Sequence, residues 1–125
     1  MNIIIPIIVG TIVGLLFAIR RSPGAREIAR SLSPEDRSFI ADQLEPITRL
    51  PLRTAEDEDA WYEATRAMMQ RLGERFSDVA SVVPHVLYHY IGDADIHRKE
   101  PAYRRKQERY ITEFIRELRE QSQKT

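Results

Sequence analysis

Residues 3–19 read IIIPIIVGTIVGLLFAI and contain no charged side chain. At about 1.5 Å of rise per residue, a helix of this length reaches roughly 25 Å before its flanks are counted, which is close to the thickness of a bilayer's hydrocarbon core. Pro6 falls in the first turn, where its missing N–H costs least. A core helix of a soluble domain seldom lacks a polar face over such a length. The stretch therefore predicts a transmembrane anchor over residues 1–21.

A cleaved signal peptide is the alternative interpretation of this segment. Only Met1 and Asn2 precede the apolar run, so a basic n-region is missing, and no A-x-A cleavage pattern follows. Arg20 and Arg21 close the run, and the positive-inside rule then places the C-terminal side in the cytoplasm. We expect a single-pass protein of the cell (inner) membrane, with the N-terminus outside and the C-terminal domain cytoplasmic.

Small residues recur at every fourth position on one face of the predicted anchor. Gly10, Gly14 and Ala18 form a stripe along which another transmembrane helix can approach closely. We predict that this stripe is a helix-packing interface, with a foreign helix favoured over a second copy of the chain. The alternative is chance, because Gly is common in transmembrane helices in any case.

Residues 22–32 form a basic juxtamembrane segment. A Ser-Pro-Gly sequence interrupts the anchor, and residues 25–32 then predict a short helix with Arg26 and Arg30 on one side and apolar residues on the other. We expect this helix to lie along the membrane surface, where each basic residue gains on the order of 1 kcal/mol from anionic headgroups. Ordinary arginines that only set the topology are the alternative.

Charge is segregated along the chain, although its sum is zero. Basic and acidic residues number four and one in residues 20–32, three and nine in 33–65, three and four in 66–97, and nine and five in 98–125. The result is a basic collar, an acidic middle and a basic tail. Cysteine is absent, which excludes disulfides, thiolate metal sites and cysteine nucleophiles.

Residues 33–125 are predicted to form one cytoplasmic helical domain of about four helices. The class is all-α, because no segment alternates polar and apolar residues for long enough to indicate a strand. Ser33 and Pro34 begin the first helix, which we expect to end near Leu44 because Pro46 follows. Its expected buried residues are Phe39, Ile40, Leu44 and Ile47.

The second predicted helix begins at Thr54, where Asp57 has the spacing of a capping box. The acidic run over residues 56–59 fits helix-start chemistry better than a cation site, because successive side chains point around a helix and do not converge. Gly73 is expected to end or weaken this helix. Its predicted inner face consists of Trp61, Thr65, Met68 and Leu72.

A second apolar stretch follows over residues 76–91, with Pro84 inside it and Gly92 as a natural stop. Two short helices and one kinked helix fit this stretch equally well. Pro101 then begins an amphipathic last helix of about five turns. One side of that helix carries Tyr103, Gln107, Tyr110, Ile111, Phe114 and Leu118.

All three histidines lie within HVLYHYIGDADIH, residues 85–97. On a helix, the i, i+4 spacing lets His85 and His89 point to one side, and Asp93 and His97 can join them if the chain folds back at the glycine. Such a set would suit zinc, iron or manganese. The HExxH glutamate and the Glu-x-x-His pairs of known metal sites are missing, so these four residues are weak metal candidates and partly buried structural histidines are favoured.

The basic tail segment RKEPAYRRKQER spans residues 98–109. We predict that Arg104, Arg105 and Arg109 contact anionic lipid or an acidic partner, together with Arg20, Arg21, Arg26 and Arg30 of the collar. The alternative is a solvated helix face neutralised by the acidic middle of the same chain. A net charge of zero gives a weak electrostatic footprint for nucleic acid, so no nucleic-acid partner is expected.

No glycine-rich phosphate loop and no nucleophile elbow occur in the sequence. We therefore predict a protein that is not an enzyme, has no cofactor, and serves as an accessory or assembly subunit packed into a larger membrane complex. Two alternatives remain: a membrane-tethered metal-binding protein or enzyme that uses His85, His89 and His97, and a self-associating membrane scaffold, that is, a homo-oligomer.

Overall fold

The computed structural model describes residues 24–124, and within this range every regular element is helical. Residues 24–124 form six α-helices and one short 3₁₀ turn at Val79–Ser81. One of the six is the short helix predicted over residues 25–32, and the other five compare with about four predicted for the domain that follows. The helices are α1 Ala25–Ser31, α2 Pro34–Thr48, α3 Ala55–Arg75, α4 Val86–Gly92, α5 Ala94–Lys99 and α6 Pro101–Lys124. The all-α class is confirmed for this part of the chain.

The predicted transmembrane anchor lies outside the described residues. Between residues 24 and 124, no helix has the length and apolar character needed to cross a bilayer. The longest, α6, carries charged residues along its whole length.

Local capping explains where α2 and α3 begin, as predicted. The Ser33 hydroxyl accepts a hydrogen bond from the Asp36 backbone N–H at 3.1 Å. Thr54 and Asp57 form a complete capping box, in which each side chain accepts a hydrogen bond from the other residue's N–H. The backbone N–H of Arg53 also donates to the Asp57 carboxylate at 2.7 Å and lowers the pKa of that group.

The predicted end of α2 near Leu44 is wrong, because the helix continues through Pro46 to Thr48. Pro46 is exposed, so solvent can reach the carbonyl that would have accepted its missing N–H. Ile47 is buried one residue later and holds the last turn on the core. Gly73 likewise fails to end α3, which continues to Arg75 before Phe76 caps it.

The stretch between α3 and α6 contains one helix that was not predicted, α5. Pro84 separates the 3₁₀ turn from α4, so the alternative of one kinked helix is wrong, and the two-helix alternative holds only in that a short 3₁₀ turn takes the place of the first helix. The six-residue α5 begins directly after α4, and its first turn is closed by the backbone N–H of His97 donating to the carbonyl of Asp93 at 2.8 Å.

The core forms around α6, which packs against α1, α2, α4 and α5. Arg119, near the end of α6, pairs with Asp42 of α2 at 2.9 Å, whereas Arg104, near the beginning, donates to the carbonyl oxygen of Leu50 just beyond α2 at 2.7 Å. Thus α2 and α6 run antiparallel. Fully buried large side chains at the centre include Trp61, Tyr90, Phe114, Ile40, Leu44, Met68, Leu72, Ile111 and Leu118.

Helix α1 belongs to this packed unit, so the packed domain begins before residue 33. Ile28 is 2% exposed and Ala29 is fully buried. Arg37 of α2 donates hydrogen bonds to the carbonyl oxygens of Ala29 and Leu32. The apolar side of α1 therefore packs against the core, and its charged side remains exposed.

Candidate functional site

The predicted basic contacts divide into two groups once the chain is folded. Arg20 and Arg21 lie outside the described residues. On α1, Arg30 is exposed, and Arg26 keeps 63% of its side chain exposed while its guanidinium lies 3.6 Å from the buried carboxylate of Glu117 on α6. These two α1 residues keep positive charge at the surface of the domain where it joins residue 23.

Arg104 has a structural role, contrary to the predicted surface contact. Its guanidinium donates to the carbonyl of Leu50, pairs with Glu108 at 3.2 Å and lies over the Trp61 ring, 5.6 Å from the centroid. Only 20% of its side chain is exposed. Three anchoring contacts leave it little freedom to bind another molecule.

Several other basic residues of the tail and of α3 are paired with acidic residues from the middle of the chain. Arg98 pairs with Glu58, Arg119 with Asp42 and Glu45, and Arg75 with Asp36 at 2.8 Å. The segregation of charge along the sequence is thus partly cancelled in the fold, as the alternative interpretation of the basic tail expects.

One basic surface on α6 is left over, consisting of Arg105, Lys106, Arg109 and Tyr110. All four side chains are exposed, and Tyr110, at 55%, is the more exposed of the two large hydrophobic residues on the surface of the described domain. No residue between 24 and 124 forms an ion pair or hydrogen bond with these three cations. We call these residues the α6 basic surface.

An open groove of about 420 Å³ runs beside this surface. Its lining contains two acidic residues, Glu108 and Glu113, but both are already engaged. Glu108 binds the Tyr90 hydroxyl at 2.6 Å and Arg104, and Glu113 pairs with Arg116. The unpaired charge of the groove is therefore that of Arg105 and Arg109.

The structure does not assemble the three histidines into one site. His85 and His89 are both exposed, and their ring centroids are 5.1 Å apart. His97 is buried among the rings of Trp61, Tyr90 and Tyr103. Across residues 24–124, no three His, Asp or Glu side chains are grouped so as to hold a metal ion. The fold-back that would bring Asp93 and His97 to the histidine pair is not observed.

His97 belongs to a buried chain of hydrogen bonds that the sequence pattern did not indicate. Its Nε2 lies 2.7 Å from Oε1 of Gln107, whose amide donates to the Tyr103 hydroxyl, and that hydroxyl donates to the Asp93 carboxylate, each at 2.8 Å. The Nδ1 atom of His97 is buried without a partner in the described part of the chain. Burial lowers the pKa of His97 and so favours the neutral imidazole. The amide oxygen of Gln107 can only accept, so Nε2 is the nitrogen that donates.

Burial also raises the pKa of Tyr90, which is hydrogen-bonded to Glu108, and the hydrogen bond to Asp93 raises the pKa of Tyr103. Both phenols therefore stay protonated and act as donors. The i, i+4 spacing of Tyr103 and Gln107 on the inner face of α6 is the one signal in the sequence, and it places these two side chains near each other. It does not identify their partners, which are Asp93, just after α4, and His97 in α5.

No protein family model, curated protein or solved structure matches this chain. The candidate site is therefore interpreted from its geometry alone.

Proposed function

We propose that this protein is a single-pass membrane accessory subunit without catalytic activity. Its anchor packs into a larger membrane complex, and its helical domain is held at the cytoplasmic face of that complex. The proposed orientation follows from the arginines that close the anchor. The proposed partners are transmembrane subunits, contacted through Gly10, Gly14 and Ala18, and anionic lipid headgroups.

The observation that carries the proposal is the incorporation of α1 into the core. Only residues 22–24 separate the predicted anchor from α1, and an extended chain covers at most about 3.6 Å per residue, so this gap is no wider than about 14 Å. Because Ile28 and Ala29 are buried, α1 cannot act as a loose linker. A domain tethered so closely presents a fixed side to the membrane, which suits a subunit that must dock in one orientation.

The chemistry of the described domain supports an interaction role. The buried His97 and Gln107 and the half-buried Tyr103 and Asp93 form hydrogen bonds with one another, and the grooves of the described domain are open at the surface. The metal-binding alternative retains only the exposed pair of His85 and His89, and two imidazoles are fewer ligands than a structural or catalytic zinc site uses.

The experiment that tests the proposal is co-purification of the tagged full-length chain from its native membrane, comparing wild type with Gly14→Ile. A bulky residue at this position prevents close approach along the small-residue stripe without reducing apolarity, so we expect membrane insertion to persist and co-purifying subunits to be lost. Leu16→Ile is the matched control, because it lies about 200° around the helix from Gly14 and should have no effect.

Undiminished co-purification with Gly14→Ile would contradict the helix-packing part of the proposal. If wild type is recovered without any other protein, as a homo-oligomer that Gly14→Ile dissociates, the accessory-subunit proposal is wrong. The self-associating scaffold would then be the correct hypothesis.

A further inference from the structure

The direction of α1 is fixed by contacts at both of its ends. Near its beginning, Arg26 meets Glu117 of α6. Near its end, the carbonyl oxygen of Ala29 accepts a hydrogen bond from Arg37, in the first turns of α2. Helix α2 is antiparallel to α6, and Arg119 contacts it at Asp42 and Glu45, in its second half. The first turns of α2 therefore lie beyond Arg119, toward the C-terminal end of α6. Thus the beginning of α1 lies beside Glu117, and its end lies toward the C-terminal end of α6.

The α6 basic surface lies on the N-terminal side of Glu117 along α6. Tyr110 precedes Glu117 by seven residues, which is close to two helical turns, so both residues fall on the same stripe of α6, about 10 Å apart. Lys106 continues the stripe one turn further, and Arg105 and Arg109 flank it on the exposed side.

The composition of the surface matches the headgroup layer of a membrane. Three unpaired cations gain energy near anionic lipid, and an exposed tyrosine is the side chain that places a ring in the apolar boundary and a hydroxyl in water. The nearby carboxylates do not neutralise the three cations, because Glu108 is paired with Arg104 and Glu113 with Arg116.

We propose that the α6 basic surface, Arg105, Lys106, Arg109 and Tyr110, lies on the anionic lipid headgroups beside the anchor and thereby sets the orientation of the whole domain relative to the bilayer. This inference rests on the membrane anchoring put forward under the proposed function.

The test uses the full-length chain in nanodiscs, where the natural absence of cysteine allows single-site labelling. An environment-sensitive fluorophore is attached at Tyr110→Cys or, as the matched control, at Gln70→Cys on the exposed face of α3. The discs contain phosphatidylcholine with about one third phosphatidylglycerol, or phosphatidylcholine alone, and a small fraction of lipid that carries a quencher on its headgroup.

We expect strong quenching at position 110 in anionic discs and little at position 70. The combined substitutions Arg105→Gln, Lys106→Gln and Arg109→Gln remove three positive charges. They should lower the ratio of docked to undocked domain on the order of a hundredfold, at roughly fivefold per charge. Added salt should also lower this ratio. Arg66→Gln, an exposed arginine of α3, should leave the quenching unchanged.

Equal quenching at positions 110 and 70, or quenching at 110 that is the same in neutral discs, would overturn the inference while leaving the anchor intact, because the chain would still be recovered in the discs. A chain that does not enter the discs would overturn both the inference and the proposed function.

Discussion

Replacing Ile28 with Ala should release α1 from the core and so loosen the attachment between anchor and domain. Ile28 and Ala29 are the two buried residues of α1. A helix of seven residues is not stable by itself in water, so its order depends on this burial. The substitution removes three buried carbons at about 0.8 kcal/mol each, and the cavity left behind brings the expected loss to about 2–4 kcal/mol.

This loss should be local. The central residues Trp61, Met68 and Leu72 belong to α3, which lies outside the principal contacts of α1. Amide hydrogen exchange of the full-length chain in nanodiscs should show α1 opening at least about 30-fold more often, while α3 keeps its protection. Ile28→Val is the graded control and should cost about 0.5–1.5 kcal/mol. Unchanged exchange in α1, or an equal loss of protection in α3, would refute the reasoning.

Two further substitutions test the interior of the site. The pKa of His97 is lowered in the folded protein, so below about pH 6.5 the unfolded chain binds a proton that the native imidazole does not. The free energy of unfolding should therefore be constant above about pH 6.5 and should fall as the pH drops below it. The loss should be at most about 1.4 kcal/mol per pH unit. His97→Gln should remove this dependence and His85→Gln should not; identical melting profiles for the two variants would contradict the assignment. Arg104→Gln should cost about 1–3 kcal/mol in chemical denaturation, because it removes the hydrogen bond to the Leu50 carbonyl and the contact with the Trp61 ring, whereas Arg105→Gln should stay within about 0.5 kcal/mol. Equal effects of the two arginine substitutions would place Arg104 at the surface after all.

The features of the fold that the sequence predicts well are those determined by neighbouring residues. Ser33, Thr54 and Pro101 mark helix starts through hydrogen bonds or backbone restrictions that span at most four residues, and the structure confirms all three positions. The inner face of α3 is also confirmed in full, because a 3.6-residue period of apolar side chains on a long helix has a single way to be buried.

The errors occur where tertiary contacts outweigh local preference. Pro46 would end an isolated helix, but the burial of Ile47 keeps α2 helical beyond it. The apolar side of α1 gave no sign of which helix would cover it, and in the structure it packs against α6. For the same reason, the spacing of His85, His89 and His97 could not show that the third histidine turns inward to Gln107.

The basic tail shows the same limit for function. In the sequence, Arg104, Arg105 and Arg109 are equivalent candidates for a surface contact. In the structure, Arg104 is held by Leu50, Glu108 and Trp61, whereas the other two remain exposed and unpaired within residues 24–124. Distinguishing them requires the position of Leu50, 54 residues away along the chain.

The central claim is that the chain works as a subunit of a membrane complex. The most direct measurement is the mass and composition of the particle that contains it, after gentle solubilisation of its native membrane and mass spectrometry of the co-purified proteins. We expect a particle much larger than 14.6 kDa in which other membrane proteins are present in fixed ratio to this chain. Recovery of the chain alone, or extraction from the membrane by alkaline wash without detergent, would contradict it.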